Sequence, residues 1–497
     1  MTTFTKISED ERPTITVDAR NVISRISDYT YGGFTEHMGR CIYGGIYDPG
    51  NPLSDENGFR KDVIEAMQDL KVPVVRYPGG NFVATYHWMD GVGPRDQRPK
   101  RPELAWQGIE TNQFGTDEFM KWCKIVGTEP YLCLNMGTGT LDEALAWLEY
   151  CNGAKDTHYA NLRRANGHPA PYAVKYWALG NEVYGPWQIE QTTPQSYSHK
   201  AHQWAKALKL LDPSIQLILC GESGFSSWDA HVTRACITPA NLIDMYSIHL
   251  YTSSDNHLEN VTAPLAAERG IQMAVSLIDL ARIENSIPPS IPRPKICFDE
   301  WNVWDMFRSP GEAGAEEKYT LSDALAVSVW LNVFVRQARY IGMANVAQSV
   351  NVISPLMTTK DGIVKQTTWW PLWLFSRFMR GKTIGVNLRC GEYEGGTKPG
   401  WIRGAVDTPW LDVSAAVGKD GVVSLAVVNI CGERDREVVV EGMRGVAEVW
   451  EVSGREVGVT NVEGMEEVKV REGRWDGKGA YTFPRHSLTM LRWKADV

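Results

Sequence analysis

The chain of 497 residues has no dense run of Lys or Arg, and its formal net charge is −9. Binding to nucleic acid needs a basic patch that displaces counterions, so a polyanion partner is not expected, whereas neutral polymers remain open. No stretch of about 18 uninterrupted apolar residues suggests a membrane span. The start, Met1 to Pro13 (MTTFTKISEDERP), lacks the apolar core of a secretory signal peptide, so an intracellular protein is expected. The nine cysteines are odd in number and none sits in a CxxC pair. Cys133, Cys220 and Cys297 lie inside apolar runs that read as strands, as small buried hydrophobes in a reducing compartment do. HExxH, Walker A and GxSxG motifs are all missing. Gly137-Thr138-Gly139 follows a strand but lacks the third glycine of a dinucleotide fingerprint, and reads as a tight loop. His199 and His202 share a helix face without a third ligand nearby, which suits a solvated face better than a metal site. The lone sequon at Asn260 is explained by chance.

Tryptophan is plentiful instead: there are 19, with a cluster at Trp369, Trp370 and Trp373. Core filling is the simpler account of each one. Flat aromatic faces also stack against the apolar C–H faces of sugars, so the excess points weakly toward a carbohydrate cleft.

A length near 500 residues exceeds what one core usually serves, and two domains are expected. From Tyr31 to Gly381, short β-branched or aromatic runs alternate with segments of helical period. The candidate strands are 31–36, 74–81, 131–135, 174–182, 216–221, 243–251, 295–302 and 344–351. Candidate helices between them include 59–70, 116–126, 141–151, 194–211 and 315–341. Eight strands with intervening helices match an α/β fold of the (β/α)₈ TIM-barrel type, with a catalytic unit over 21–381. Beyond Gly381, Val-rich alternating runs at 422–430, 437–441, 447–452, 468–471 and 481–493 are separated by turns such as Lys419-Asp420-Gly421. That is the pattern of an antiparallel, jelly-roll-like β-sandwich over 382–497. The run 14–17 also reads as a strand, and the segment 1–20 is expected to pair with this sandwich.

Nearly every barrel run ends in a polar residue: Glu36, Asn81, Asn135, Asn181 with Glu182, Tyr251, Glu300 and Gln348. Strand C-termini of a barrel open onto one face, so residues hundreds of positions apart are expected to share one pocket. Loops are polar in general, which explains one or two such residues but poorly a full set of carboxylates, amides and a phenol. Two acids stand out. Tyr176 to Glu182 is an apolar strand ending in Gly-Asn-Glu; a carboxyl between apolar walls is desolvated, which raises its pKa and lets it keep a proton for a leaving oxygen. Strict alternation would point Asn181 and Glu182 to opposite faces, so the chain must leave strand geometry near Gly180. The second acid, Glu300, ends Ile296-Cys297-Phe298-Asp299-Glu300 and is followed by Trp301 and Trp304. It could attack an anomeric carbon, with Arg76 at the end of another strand as its cation. A gap of about 5–5.5 Å between the two carboxyls would give net retention. His249, two residues before Tyr251, reads either as a wall residue or as a support behind the groups that line the pocket.

These strings resemble the α-L-arabinofuranosidases of glycoside hydrolase family 51. The matching stretches are Phe34 to Arg40, Val75 to Phe82, Asp90 to Arg95, Ala105-Trp106, Glu110 to Gly115, Leu179 to Glu182 with Gly185 to Ile189, Phe298 to Trp304, and Ala347 to Ile353. The resemblance runs through the whole barrel. It implies Glu182 as acid/base and Glu300 as nucleophile of an exo-acting, retaining hydrolase of arabinoxylan, arabinan and arabino-oligosaccharides. It places sugar-binding groups at Glu36, Asn81, Asn181, Tyr251 and Gln348, with Trp106 and Trp304 as walls of the furanose pocket or of the adjacent leaving-group subsite. Asn181 would bond the sugar 2-OH. No metal or organic cofactor is called for, and homo-oligomers, often trimers of dimers, are implied. The sequence departs from the family where Tyr251 leads into Thr252-Ser253-Ser254 in place of a more aromatic loop, which bears on the cleft around the leaving group. An endo-β-glucanase or xylanase could use the same glutamate pair, and a barrel that only binds sugar is a third reading.

Overall fold

The computed structural model describes residues 2–305 and 315–495. Eight parallel strands close into a barrel, numbered here β1 (Gly32–Phe34), β2 (Val74–Tyr77), β3 (Glu129–Cys133), β4 (Tyr176–Leu179), β5 (Gln216–Leu219), β6 (Met245–Thr252), β7 (Lys295–Val303) and β8 (Ile341–Val346). Parallel strands covered by helices are buried on both sides, which is why they read as continuous apolar runs. Alternation sorts them all the same. Tyr131, Cys133, Tyr176, Ala178, Ile218, Met245, Cys297 and Met343 fill the barrel interior. Leu132, Trp177, Leu179, Leu217, Leu219, Ile296 and Phe298 face the surrounding helices. All nine cysteines are buried and unpaired, two of them in that interior.

The helices include Lys61–Asp69, Thr116–Val126, Leu141–Asn152, Pro194–Leu211, Ser227–Cys236, Leu265–Glu284, Leu321–Arg336 and Trp369–Phe378. The helix expected over 315–341 is shorter at both ends. Thr320 accepts the amide of Asp323 in a capping box, which starts the helix at Leu321, and Ile341 already opens β8. Residues Leu321 to Val335 of this helix are buried all round, because the second domain covers its outer face.

That second domain is a ten-stranded, mostly antiparallel sheet. Its C-terminal strands include Lys382–Cys390, Leu411–Val417, Val422–Asn429, Arg436–Glu441, Ala447–Ser453 and Lys469–Trp475. The single run read over 481–493 is two strands, Tyr481–Phe483 and Ser487–Lys494, separated by Pro484 and by His486 at φ +38°. Two strands come from the other end of the chain: Thr14–Arg25 pairs antiparallel with Lys382–Cys390, and Thr2–Lys6 pairs parallel with it. Both faces of the central strands are buried. Val423, Leu425 and Val427 enter the sheet's own core, while Ala426, Val428 and Ile430 join the core of the barrel.

The tryptophan cluster belongs to this junction and not to the cleft. Trp369 is fully buried, and Trp373 packs on Trp450 of the sheet with ring centroids 5.9 Å apart. Among the described residues, no helix is long and apolar enough to cross a membrane.

Candidate active site

The C-terminal rim of the barrel gathers the polar strand ends. β4 stops at Leu179; Gly180 takes φ +82°, and Glu182 itself sits at φ +42°. A left-handed backbone at a non-glycine residue costs of order 1–3 kcal/mol, and here it turns Asn181 and Glu182 into the same space. On β7 the register against β8 shifts between Phe298 and Trp301, and β6 shifts against β7 between Ser247 and His249. These irregularities let the adjacent residues Asp299 and Glu300 both reach one cluster.

Arg76, buried at the end of β2, is its centre. It donates to Glu300 Oε1 and to Asn181 Oδ1, both at 2.6 Å, and its Nε lies 3.5 Å from Asp299. Arginine only donates, so Asn181 must turn its oxygen to Arg76, which leaves Asn181 Nδ2 buried and unpartnered. Tyr251 donates to the other oxygen of Glu300 at 2.8 Å. Glu182 Oε2 accepts from the indole of Trp187 at 2.7 Å, and its Oε1 bonds His249 Nδ1 at 2.9 Å. One oxygen each of Glu182 and Glu300 and a ring nitrogen of His249 all lie within 4.8 Å of one another.

Glu36 forms a second polar centre. Its oxygens accept from the Phe82 amide, the Trp106 indole and Gln348 Nε2, at 3.0–3.1 Å. Gly79 and Gly80 wrap it so closely that a Cβ on Gly79 would come within 2.6 Å of its side chain. Asn81 follows directly, opening a short 3₁₀ turn, with its side chain half-buried. Trp106 stands at the tip of a hairpin (Arg101–Glu103 with Gly108–Glu110), where Glu103 accepts the amides of Ala105 and Trp106. Trp106, Tyr251 and Trp304 pack against one small core, Tyr251 edge-on to Trp304 at 5.2 Å. Among the described residues, Gln348 Oε1 and Trp304 Nε1 are buried with no partner.

The charge states depart from the expectation drawn from desolvation alone. Burial does push Glu182 up, but its bond to His249, the charge of that ring, the Trp187 indole and Arg76 together hold it below its usual value. The raised carboxyl is Glu36: burial and the charge of Glu300 push it up to about 8 against its amide and indole donors. His249 is pushed up to about 10, because the charges of Glu300, Asp299 and Glu182 outweigh its burial. Asp299 lies well below the usual carboxylate range despite burial, held there by Arg76, His249 and Ser247.

Nine of the ten residues singled out from the sequence are linked by these contacts or packed together at the barrel rim, while Asn81 is placed there only by its neighbours Gly80 and Phe82. Three more were not singled out: Asp299, Ser247 and Trp187. Ser247, His249 and Tyr251 alternate on one strand, a period-two signal that marks them as one face. Asp299 was hidden because alternation places it opposite Glu300. The triad of Glu182, His249 and Glu300 has the spacing of metal ligands. Its ligand atoms are already engaged with one another, with Arg76 and with Tyr251, and that fixed cation competes with any metal. A carboxylate pair this close, with unpartnered amide groups beside it, is equipped to bond sugar hydroxyls and act on an anomeric carbon.

Comparison with known proteins points the same way. Two family models match, the α-L-arabinofuranosidase 1 domain over residues 66–268 and the α-L-arabinofuranosidase C-terminal domain over residues 299–487. The probable α-L-arabinofuranosidase C of Aspergillus fumigatus is 67% identical over the full length of both chains. The intracellular exo-α-(1→5)-L-arabinofuranosidase of Halalkalibacterium halodurans is 39% identical over 81% of each. The solved family 51 α-L-arabinofuranosidase of Thermotoga petrophila superposes with a TM-score of 0.89 at 38% identity, covering 97% of this chain and 100% of that one.

Proposed function

Since this chain belongs to the α-L-arabinofuranosidases of glycoside hydrolase family 51, we propose that it removes terminal non-reducing α-L-arabinofuranosyl residues from arabinoxylan, arabinan and arabino-oligosaccharides by double displacement. The carrying observation is the approach of Glu182 and Glu300 to within 4.8 Å, oxygen to oxygen. Inverting enzymes leave room for a water and separate their carboxyls by about 6.5–9.5 Å; retaining ones bring them to about 5–5.5 Å.

In this reading Glu300, oriented by Arg76 and Tyr251, attacks C1 while Glu182 protonates the leaving oxygen. The arabinofuranosyl-enzyme is then opened by water, with Glu182 taking the water's proton. The free Nδ2 of Asn181 supplies a donor for the sugar 2-OH, an interaction that tightens in an oxocarbenium-like transition state. Glu36, Asn81 and Gln348 hold the far hydroxyls. Trp106, Tyr251 and Trp304 wall the space, which suits a pocket for a chain end more than an open groove, and the bacillary relative's name carries the same exo mode. Nine buried, unpaired cysteines suit a reducing, intracellular setting.

Glu300→Ala should abolish turnover of every arabinoside. Glu182→Ala should keep measurable kcat/KM on 4-nitrophenyl α-L-arabinofuranoside and lose about 10²–10⁴-fold on natural arabinan, whose leaving oxygen needs a proton. Wild-type activity of Glu182→Ala on arabinan sinks the assignment. Proton NMR of the first product should show the α-anomer, and cleavage of carboxymethylcellulose alone would refute the arabinoside reading.

A further inference from the structure

Of the two readings of His249, the contacts favour a support behind the acids. Its Nδ1 bonds Glu182 Oε1 at 2.9 Å and lies 3.6 Å from Glu300 Oε2, while Nε2 faces Asp299 Oδ1 and Ser247 Oγ, each at 3.2 Å. Asp299 is pinned in turn by Ser247 at 2.5 Å, by the Tyr131 phenol at 2.7 Å and by Arg76. A line of hydrogen bonds therefore runs from the barrel interior through Asp299 and the imidazole to Glu182, with every member buried or nearly so.

We infer that His249, held by Asp299, is a positioning residue that stores the catalytic proton and exchanges it with Glu182 in each half of the reaction. The inference rests on the acid/base role of Glu182 proposed above. In the resting site His249 is an imidazolium and Glu182 a carboxylate, the arrangement that the raised His249 and lowered Glu182 both favour. When Glu300 attacks C1, the C1–O bond breaks and the leaving oxygen takes a proton from Glu182. Glu182, a carboxylate at rest, draws that proton from His249 Nδ1 as the bond breaks and is a carboxylate again afterwards, and the ring becomes neutral with its remaining proton on Nε2 toward Asp299. In the second half water attacks C1 and the ester bond to Glu300 breaks; the water's proton passes to Glu182 and on to Nδ1.

Charge balance favours this cycle. Esterification removes the negative charge of Glu300, the strongest of the charges that raise His249. Loss of the imidazolium proton removes a positive charge in the same step, so the net charge of the buried cluster of Arg76, Glu182, His249, Asp299 and Glu300 does not change. A low-dielectric site strongly resists any change of net charge, and this coupling avoids one. The groups facing the ring are Glu182 from the loop after β4, Asp299 and Glu300 from β7, Ser247 from β6 itself, and Arg76 from β2 behind the acids.

The test compares His249→Asn with wild type on methyl α-L-arabinofuranoside and on a 2,4-dinitrophenyl arabinofuranoside, following kcat/KM against pH. The alkaline limb for the methyl glycoside, set in wild type by loss of the stored proton, should move toward acid by about one pH unit or more, and activity should recover at low pH, where Glu182 takes its proton from solvent. The dinitrophenyl substrate, which needs no acid, should show no such shift. An unmoved limb, or an equal loss on both substrates at every pH, overturns the relay. As a second measurement, the ¹⁵N signals of His249 should read imidazolium in the free enzyme and neutral imidazole after Glu300 is trapped with a 2-fluoro-arabinofuranosyl inhibitor. A ring in the same state before and after trapping overturns it too. If Glu182→Ala loses equally on both substrates, the acid/base assignment falls and the relay with it; an unmoved limb beside a leaving-group-dependent Glu182→Ala sinks the relay alone.

Discussion

Two of the arginines that the molecule buries among carboxylates, Arg336 and Arg76, have surroundings that differ in one respect. Arg336, at the junction of barrel and sheet, has every nitrogen bonded: to both oxygens of Glu268, to both of Asp412 and to the Val413 carbonyl, at 2.8–3.2 Å. Asn332 and Gln337 complete the acids' partners. Arg76, at the barrel rim, is more deeply buried, yet its Nε makes no hydrogen bond, and next to it Asn181 Nδ2 is left open, as is Gln348 Oε1 beside Glu36. A satisfied network fixes a junction; one with buried orphans has kept valences for something that comes and goes. Residue type and charge are alike in these two clusters, and they differ in their unmet partners.

Removing each arginine sharpens that contrast. Arg76→Met should do the most harm: it strands Asp299 and Glu300 as buried charges, at a cost of about 3–5 kcal/mol in stability, and lowers kcat/KM by about 10³-fold or more in whatever still folds. Arg336→Met should cost a similar 3–5 kcal/mol, read as a lower midpoint in urea, but leave the kcat of the folded fraction within about twofold of wild type. Burial keeps Asp412 above its usual value even beside Arg336, so the ion pair does not fully repay the desolvation of this carboxylate. Converting the cluster whole, as Arg336→Met with Glu268→Leu and Asp412→Leu, should therefore recover most of the lost stability. A triple variant that stays unstable, or an Arg336→Met enzyme with collapsed kcat, would erase the distinction between the two sites.

Much of the rim was legible in the sequence because barrel geometry converts strand order into proximity. Eight apolar runs close into one barrel, and the six that carry Glu36, Asn81, Asn181 with Glu182, Tyr251, Glu300 and Gln348 at or near their ends bring them to one face. The strand at 216–219 and the helices 116–126 and 194–211 were visible to within a residue or two, since Gly, Pro and Thr mark their ends. Three things were not legible. The protonation of Glu182 depends on a hydrogen bond to a residue 67 positions away, and burial alone gave the wrong sign. Asp299 escaped because a register shift in β7 breaks the alternation that sequence reasoning assumes. The tryptophans at 369, 370 and 373 could not be told apart from a sugar platform until Trp450 of the second domain was seen to cover Trp373. Contacts between domains are the least local information a chain carries.

The smallest expected effect lies at the junction, where His257 links three elements. Its ring bonds Ser322 Oγ at 2.9 Å and the Ile430 carbonyl at 3.0 Å, which a neutral ring satisfies completely: one nitrogen accepts and the other donates. Burial pulls this histidine down to about 4, with only partial help for the charged form from the Ile430 carbonyl. Between about pH 4 and 6.5 the unfolded chain therefore binds a proton that the folded chain refuses. The contribution is fully present above pH 6.5 and is lost as pH falls toward 4, on the order of 1–3 kcal/mol in all. His257→Gln should remove this slope, so urea midpoints of variant and wild type should draw together on acidification from pH 7 to 5. The rim behaves oppositely, since His249 is raised and its proton is retained across the same range. A stability difference between wild type and His257→Gln that stays constant over that interval would show that the junction does not sense acid through this ring.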